Sequence, residues 1–133
     1  MLNILSGYET ANIRSLPYKA AETIADGNWV VFDGSTGKVI KQTGTYSAAT
    51  AGKAFVVMGG NDVRFDSKNM GVVSVVTAKS FVGETDKFAA VTINAGDPLT
   101  VSDGVLAKAA TGNTVVAYAI SDNTSGVLQF VGA

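Results

Sequence analysis

Apolar positions in this chain come in short runs, each broken by glycine, aspartate, asparagine or serine. Trp29-Val30-Val31-Phe32, Ala54-Phe55-Val56-Val57-Met58, Val72-Val73-Ser74-Val75-Val76-Thr77, Thr114 to Ile120 and Gly126 to Val131 are the clearest runs. Their length and β-branched content predict strands, because branched side chains fit a pleated surface better than a helical turn. The unbroken run at Ala54–Met58 predicts a strand buried on both faces, and Val63-Arg64-Phe65 alternates as a half-exposed strand does. Between the runs lie turn formers: Asp33-Gly34-Ser35-Thr36-Gly37, Gly59-Gly60-Asn61-Asp62, Asp66 to Gly71, Ala95-Gly96-Asp97-Pro98, Ser102-Asp103-Gly104 and Ser121 to Gly126. Asp-Gly between apolar runs is a strong local signal for a hairpin. Residues 46–52 read as a loop, and 78–91 as a link holding one short strand or a single helical turn.

The pattern repeats within the chain. Ile24 to Gly44 and Ile93 to Gly112 share one plan: Ile, two residues, Gly, a short apolar strand, an Asp-Gly turn, then a strand carrying a lysine and closing at a glycine. Gly52-Lys53-Ala54-Phe55-Val56-Val57-Met58 aligns with Gly112-Asn113-Thr114-Val115-Val116-Ala117-Tyr118, and the segment from Asp66 aligns with the one from Asp122. Two halves, about 24–77 and 93–131, therefore share an order of elements. Many short strands with frequent turn signals predict an all-β fold, a small sandwich or barrel of short antiparallel strands built on an internally duplicated module.

Residues 1–22 differ from the rest. Leu2, Ile4, Leu5, Tyr8, Ile13, Leu16 and Tyr18 supply apolar anchors with no sustained period. Two readings follow, a lead-in segment packed on its own domain or an extended arm lying along a partner. The organisation expected is an N-terminal extended arm over 1–22 and a β domain over 23–133. Trp29 and Tyr46 are core residues or candidate interface anchors.

Composition narrows the chemistry. A length of 133 residues suits one domain with a real core. With 10 basic and 11 acidic residues scattered along it, the chain has no basic stripe, so nucleic acid is not an expected partner. No apolar run approaches a membrane span, and the N-terminus lacks the apolar core of a secretion signal, so neither a membrane nor export is expected. Histidine and cysteine are absent. That removes the commonest general base and the imidazole and thiolate ligands of zinc, along with every nucleophile triad built on them. Most aspartates sit beside Gly or Asn, where they make turns. Asp62, Asp66 and Asn69 lack the spacing of a calcium loop. The adjacent pairs Ser67–Lys68 and Lys79–Ser80 would point to opposite faces of a strand. The segment Gly34 to Lys38 lacks full phosphate-loop spacing and joins two strands. No enzyme activity and no cofactor are expected.

The phrase Gly96-Asp97-Pro98-Leu99-Thr100-Val101-Ser102-Asp103-Gly104-Val105-Leu106-Ala107-Lys108-Ala109-Ala110-Thr111-Gly112, followed by the Val115–Ile120 strand and the Ser125–Val131 end, resembles the capsid cement, or head decoration, proteins of tailed bacteriophages. The likeness covers 93–131 well and 24–77 more loosely; Ala117-Tyr118-Ala119 departs from the Gly-Val-Ala type usual in that group. It implies a structural protein, made in the host cytoplasm, that binds the virion exterior and bridges subunits of the major capsid protein. It also implies a homo-oligomer, a trimer before a dimer or monomer, whose arm (Leu2, Ile4, Leu5, Tyr8, Ile13, Leu16, Tyr18) reaches a neighbour. The alternative function is a carbohydrate- or ligand-binding β module of the adhesin type.

Overall fold

The computed structural model describes residues 1–6, 12–61, 71–78 and 80–133. The strands are β1 (Leu2–Ser6), β2 (Ile13–Pro17), β3 (Trp29–Phe32), β4 (Val39–Lys41), β5 (Phe55–Gly59), β6 (Val72–Val76), β7 (Val82–Thr85), β8 (Pro98–Ser102), β9 (Val105–Lys108), β10 (Ala117–Ala119) and β11 (Leu128–Gly132). One short helix, α1 (Ala48–Ala51), stands where the sequence suggested only a loop. The alanine-rich AATA stretch completes a single turn there, closed by the Gly52 N–H donating to the Ala48 carbonyl. The irregular 78–91 stretch contains a strand, β7.

Among the described residues the strands pair antiparallel throughout, and they form two sheets packed as a small sandwich. Sheet A has the order β1-β7-β11-β10-β8-β9, and sheet B the order β2-β6-β5-β3-β4. With β1 set aside, the two orders are the same strand for strand. The likeness reaches individual hydrogen bonds. The Ala25 N–H donates to Asn28 Oδ1 at 2.8 Å, and the Asn94 N–H to Asp97 Oδ2 at 2.9 Å. Gly27 N–H donates to the Val57 carbonyl at 2.8 Å, and Gly96 N–H to that of Ala119 at 2.7 Å. Asn61 and Asn123 each accept from a buried isoleucine, Ile24 at 2.8 Å and Ile93 at 3.1 Å, and each donates back to the carbonyl two residues before it, Glu22 at 2.9 Å and Val91 at 2.7 Å. Each half is also closed by one parallel bridge, Tyr18 to Val39 and Phe88 to Leu106. The duplication is thus structural, and it includes β2 and β7, which precede the halves as delimited in the sequence. The register differs in one place. String alignment sets Val57 against Ala117, whereas the hydrogen bonds set it against Ala119.

Two cores follow from alternation along the strands. Val30, Val39, Val57, Val73 and Val75 gather with Ile24 on the far side of sheet B. Trp29, Val31, Val56 and Val76 point the other way, into a larger cluster with Leu99, Leu106, Leu128 and Phe130 of sheet A. Sheet B is therefore apolar on both faces, which accounts for the unbroken runs WVVF and FVVM.

The described parts of the expected arm, residues 1–6 and 12–22, do not stand apart from the domain. Strand β1 pairs with β7, with Leu2 opposite Thr85, and Leu2 is buried in the larger core. Strand β2 pairs with β6 over its whole length, Ile13 opposite Val76 to Pro17 opposite Val72. The segment can do this because Leu2 and Ile4 alternate as a strand requires and so complete a face their own domain leaves open.

Candidate binding face

The hairpin β8–β9 turns at Asp103-Gly104, both left-handed at φ 50° and 79°. A two-residue hairpin turn needs that conformation to match the strand twist. The turn is tied to the other half. Gly104 N–H donates to Gln42 Oε1 at 3.2 Å, Trp29 N–H to the Gly104 carbonyl at 2.8 Å, and Gly44 N–H to Asp103 Oδ1 at 2.7 Å. These bonds hold sheet A against sheet B and leave one broad face of sheet A to solvent.

On that face β10 alternates sharply. Ala117 and Ala119 are buried, while Tyr118 between them is 45% exposed. Register places Tyr118 opposite Val131 on one side and Pro98 on the other, and Val131 opposite Val82. Val82, Val131, Tyr118 and Pro98 thus form one apolar row across four strands. Ile120, just past β10, and Leu5, on β1, are also exposed. A parallel polar row runs beside it: Glu84 accepts from Asn3 Nδ2 at 3.2 Å and from Gln129 Nε2 at 3.5 Å. Glu84 and Gln129 line a shallow depression with Ser121, Asp122 and Ser125. Asp122 is held below the usual carboxylate range, first by the Thr124 hydroxyl and then by the Thr124 N–H.

A second concavity, a cleft of about 130 Å³, opens between the sheets. Trp29, Val56 and Val76 of sheet B line it with Phe81, Val116 and Gly132 of the other half. Tyr46 closes one side; its hydroxyl donates to the Gly52 carbonyl and accepts from the Ala54 N–H at 3.1 Å, and burial pushes its pKa upward. Trp29 and Tyr46 are 4% and 3% exposed, so both are core side chains and neither is a surface anchor.

The anchors expected in residues 1–22 are dispersed. Leu2 is in the core, Ile4 and Ile13 pack against the larger cluster, and Leu16 and Tyr18 pack against the smaller one. Leu5 is exposed at the bulge of β1. Tyr8 lies outside the described residues, as do the Asp62, Asp66 and Asn69 group, Ser67–Lys68, Lys79 and the far part of the Gly59–Phe65 hairpin. The face built by Val82, Tyr118, Ile120 and Val131 was missed, because each run reads as core when its register is unknown. Alternation at Ala117-Tyr118-Ala119 was the one local signal.

No family model matches the chain, and no curated protein matches it significantly.

Proposed function

We propose that this chain is a structural protein of a virion, one that binds the outside of a capsid and bridges its coat subunits. The observation that carries the reading is the outer face of sheet A, where Leu5, Tyr118 and Ile120 stand exposed on a surface otherwise built of paired strands. Single exposed apolar residues are ordinary, but several on one rigid face mark a surface suited to a protein partner. The likeness of 93–131 to head decoration proteins supplies the class of partner. Binding repeated over many copies would turn modest contacts into shell stability.

The test uses shells assembled from a tailed-phage major capsid protein, scored by cosedimentation and by resistance of the shell to heat. The full chain is expected to bind saturably and to raise the temperature of shell disruption. Leu5→Asp with Ile120→Asp is expected to remove both effects while leaving the chain's own melting unchanged. Absence of saturable binding, or equal binding by the double variant, sinks the reading. The polar depression at Glu84, Ser121, Asp122 and Gln129, with Tyr118 nearby, favours a second reading as a glycan-binding module. Glycan-array hits that Gln129→Ala abolishes would select it.

A further inference from the structure

A side chain in the wall of the cleft between the sheets carries an unpaired donor. Trp29 stands opposite Val56, and Val56 opposite Val76, so the three form one row of sheet B along the cleft. The equivalent row of sheet A, Pro98–Tyr118–Val131, lies on the outer face with no described strand over it. One-sided docking of the halves is therefore what encloses this space. Trp29 is 4% exposed, and its indole Nε1–H is buried with no hydrogen-bond partner among the described residues. A buried donor left unpaired has lost its bond to water without a replacement, so it calls for an account.

The neighbouring polar groups are already engaged. The Tyr46 hydroxyl donates to the Gly52 carbonyl and accepts from the Ala54 N–H. The Thr114 hydroxyl accepts from the Ala48 N–H at 3.1 Å, and the Gly132 and Ala133 N–H groups donate to the Phe81 and Val116 carbonyls at 2.9 and 3.0 Å. Lys53 borders the cleft, but its ammonium lies 5.6 Å from the ring centre of Phe55, which packs against the smaller core. Its charge is thus directed away from the indole. The volume of about 130 Å³ is close to that of engineered apolar cavities of about 150 Å³ that take up benzene.

We propose that this cleft is a binding site for a neutral molecule the size of a single ring, with an apolar body and one hydrogen-bond acceptor. The body packs against Val56, Val76, Phe81 and Val116, and the acceptor receives the Trp29 Nε1–H. A small number of polar groups set in apolar walls is how ligand sites fix orientation. The site uses none of Leu5, Tyr118 and Ile120, so ring binding and capsid binding fail or stand separately.

The test follows the indole N–H in proton–nitrogen correlation spectra of the full chain, which holds one tryptophan and so gives one indole resonance. Cyclohexanone, a single ring with one carbonyl, is expected to bind saturably and to move the indole proton downfield as it begins to donate. Methylenecyclohexane has the same shape without the oxygen. It is expected to bind about fivefold or more weakly, the worth of one hydrogen bond, and to produce no such movement. Val116→Phe fills the cleft from its wall and is expected to abolish binding of both rings. An indole resonance that shows no saturable movement with the ketone, as when the cleft holds water alone, overturns the inference. So does equal affinity for the two rings, or undiminished binding by Val116→Phe. The first two outcomes are read on the unaltered chain and do not depend on how the variant folds.

Discussion

Asn61 and Asn123 show how position sets the worth of one residue type. Both bridge an isoleucine N–H and a carbonyl two residues before that isoleucine, but Asn61 is 7% exposed and Asn123 is more open to water. A buried partner left unpaired carries its full desolvation penalty, whereas a solvated one recovers a bond to water. Asn61→Ala is expected to cost about 2–3 kcal/mol and Asn123→Ala about 1 kcal/mol, measured by urea unfolding. Equal losses would contradict the burial argument. The aspartates act more weakly. Hydroxyl hydrogen bonds, from Thr36 to Asp33 and from Thr124 to Asp122, hold these carboxyls below their ordinary range, and the Met1 ammonium does the same for Asp86. A carboxyl whose folded pKa is depressed adds stability above its unfolded value near 4, and that stability is lost as pH falls through the folded value. Stability should therefore be level from neutral pH down to about 5 and fall below about 4, with a shallower acid limb in the Asp33→Asn, Asp122→Asn double variant. Thermal melts from pH 7 to pH 2 would check this, and an unchanged limb would show that other groups dominate.

At the scale of elements, the question is what happens at strand edges, where unpaired N–H and C=O groups invite aggregation. The outer edge of β7 is taken by β1, and the parallel bridges at Tyr18 and Phe88 cap β4 and β9. Strand β2 remains as the edge of sheet B among the described residues. Its hydrogen bonds to β6 fall at even positions, as Tyr18 N–H to the Gly71 carbonyl shows, so Ile13, Ser15 and Pro17 direct their backbone outward. Pro17 offers no N–H there, and Arg14 is a charge on the rim, two recognised ways of blunting an edge. Replacing both, Arg14→Val with Pro17→Thr, should produce concentration-dependent dimers or aggregates detectable by light scattering. A variant as monodisperse as the parent would show that the edge needs no such guard. The strands and turns at 24–44 and 93–112 were legible beforehand because glycine, proline and aspartate act locally. Strand β7 was half-legible, since Val82-Gly83-Glu84-Thr85 has too little apolar content to declare itself. Its place is set by pairing with β1 and β11 and by Phe130, whose ring leaves no room for a side chain at Gly83.

For the whole molecule, the N-terminal residues are structural. Deleting 1–6 removes β1, exposes the β7 edge and opens the larger core at Leu2. Truncation tolerance depends on the burial and bonding of the backbone removed. The deletion should lower the melting temperature by roughly 10 °C or more, since removing a buried leucine side chain alone costs about 2–5 kcal/mol. A truncated chain melting with the parent would return residues 1–6 to the status of a free arm.

By itself, the sequence determined the all-β class, the hairpin turns and the existence of two related halves, because each depends on residues close together in the chain. It also showed that histidine and thiol chemistry are absent. The tertiary structure alone decided which of two equivalent rows is buried, Trp29–Val56–Val76 or Pro98–Tyr118–Val131, because that depends on how one half docks on the other. It decided as well that Leu2 and Ile4 complete their own sheet. A strand with an open edge and a strand seeking one look alike until the distance between them is known.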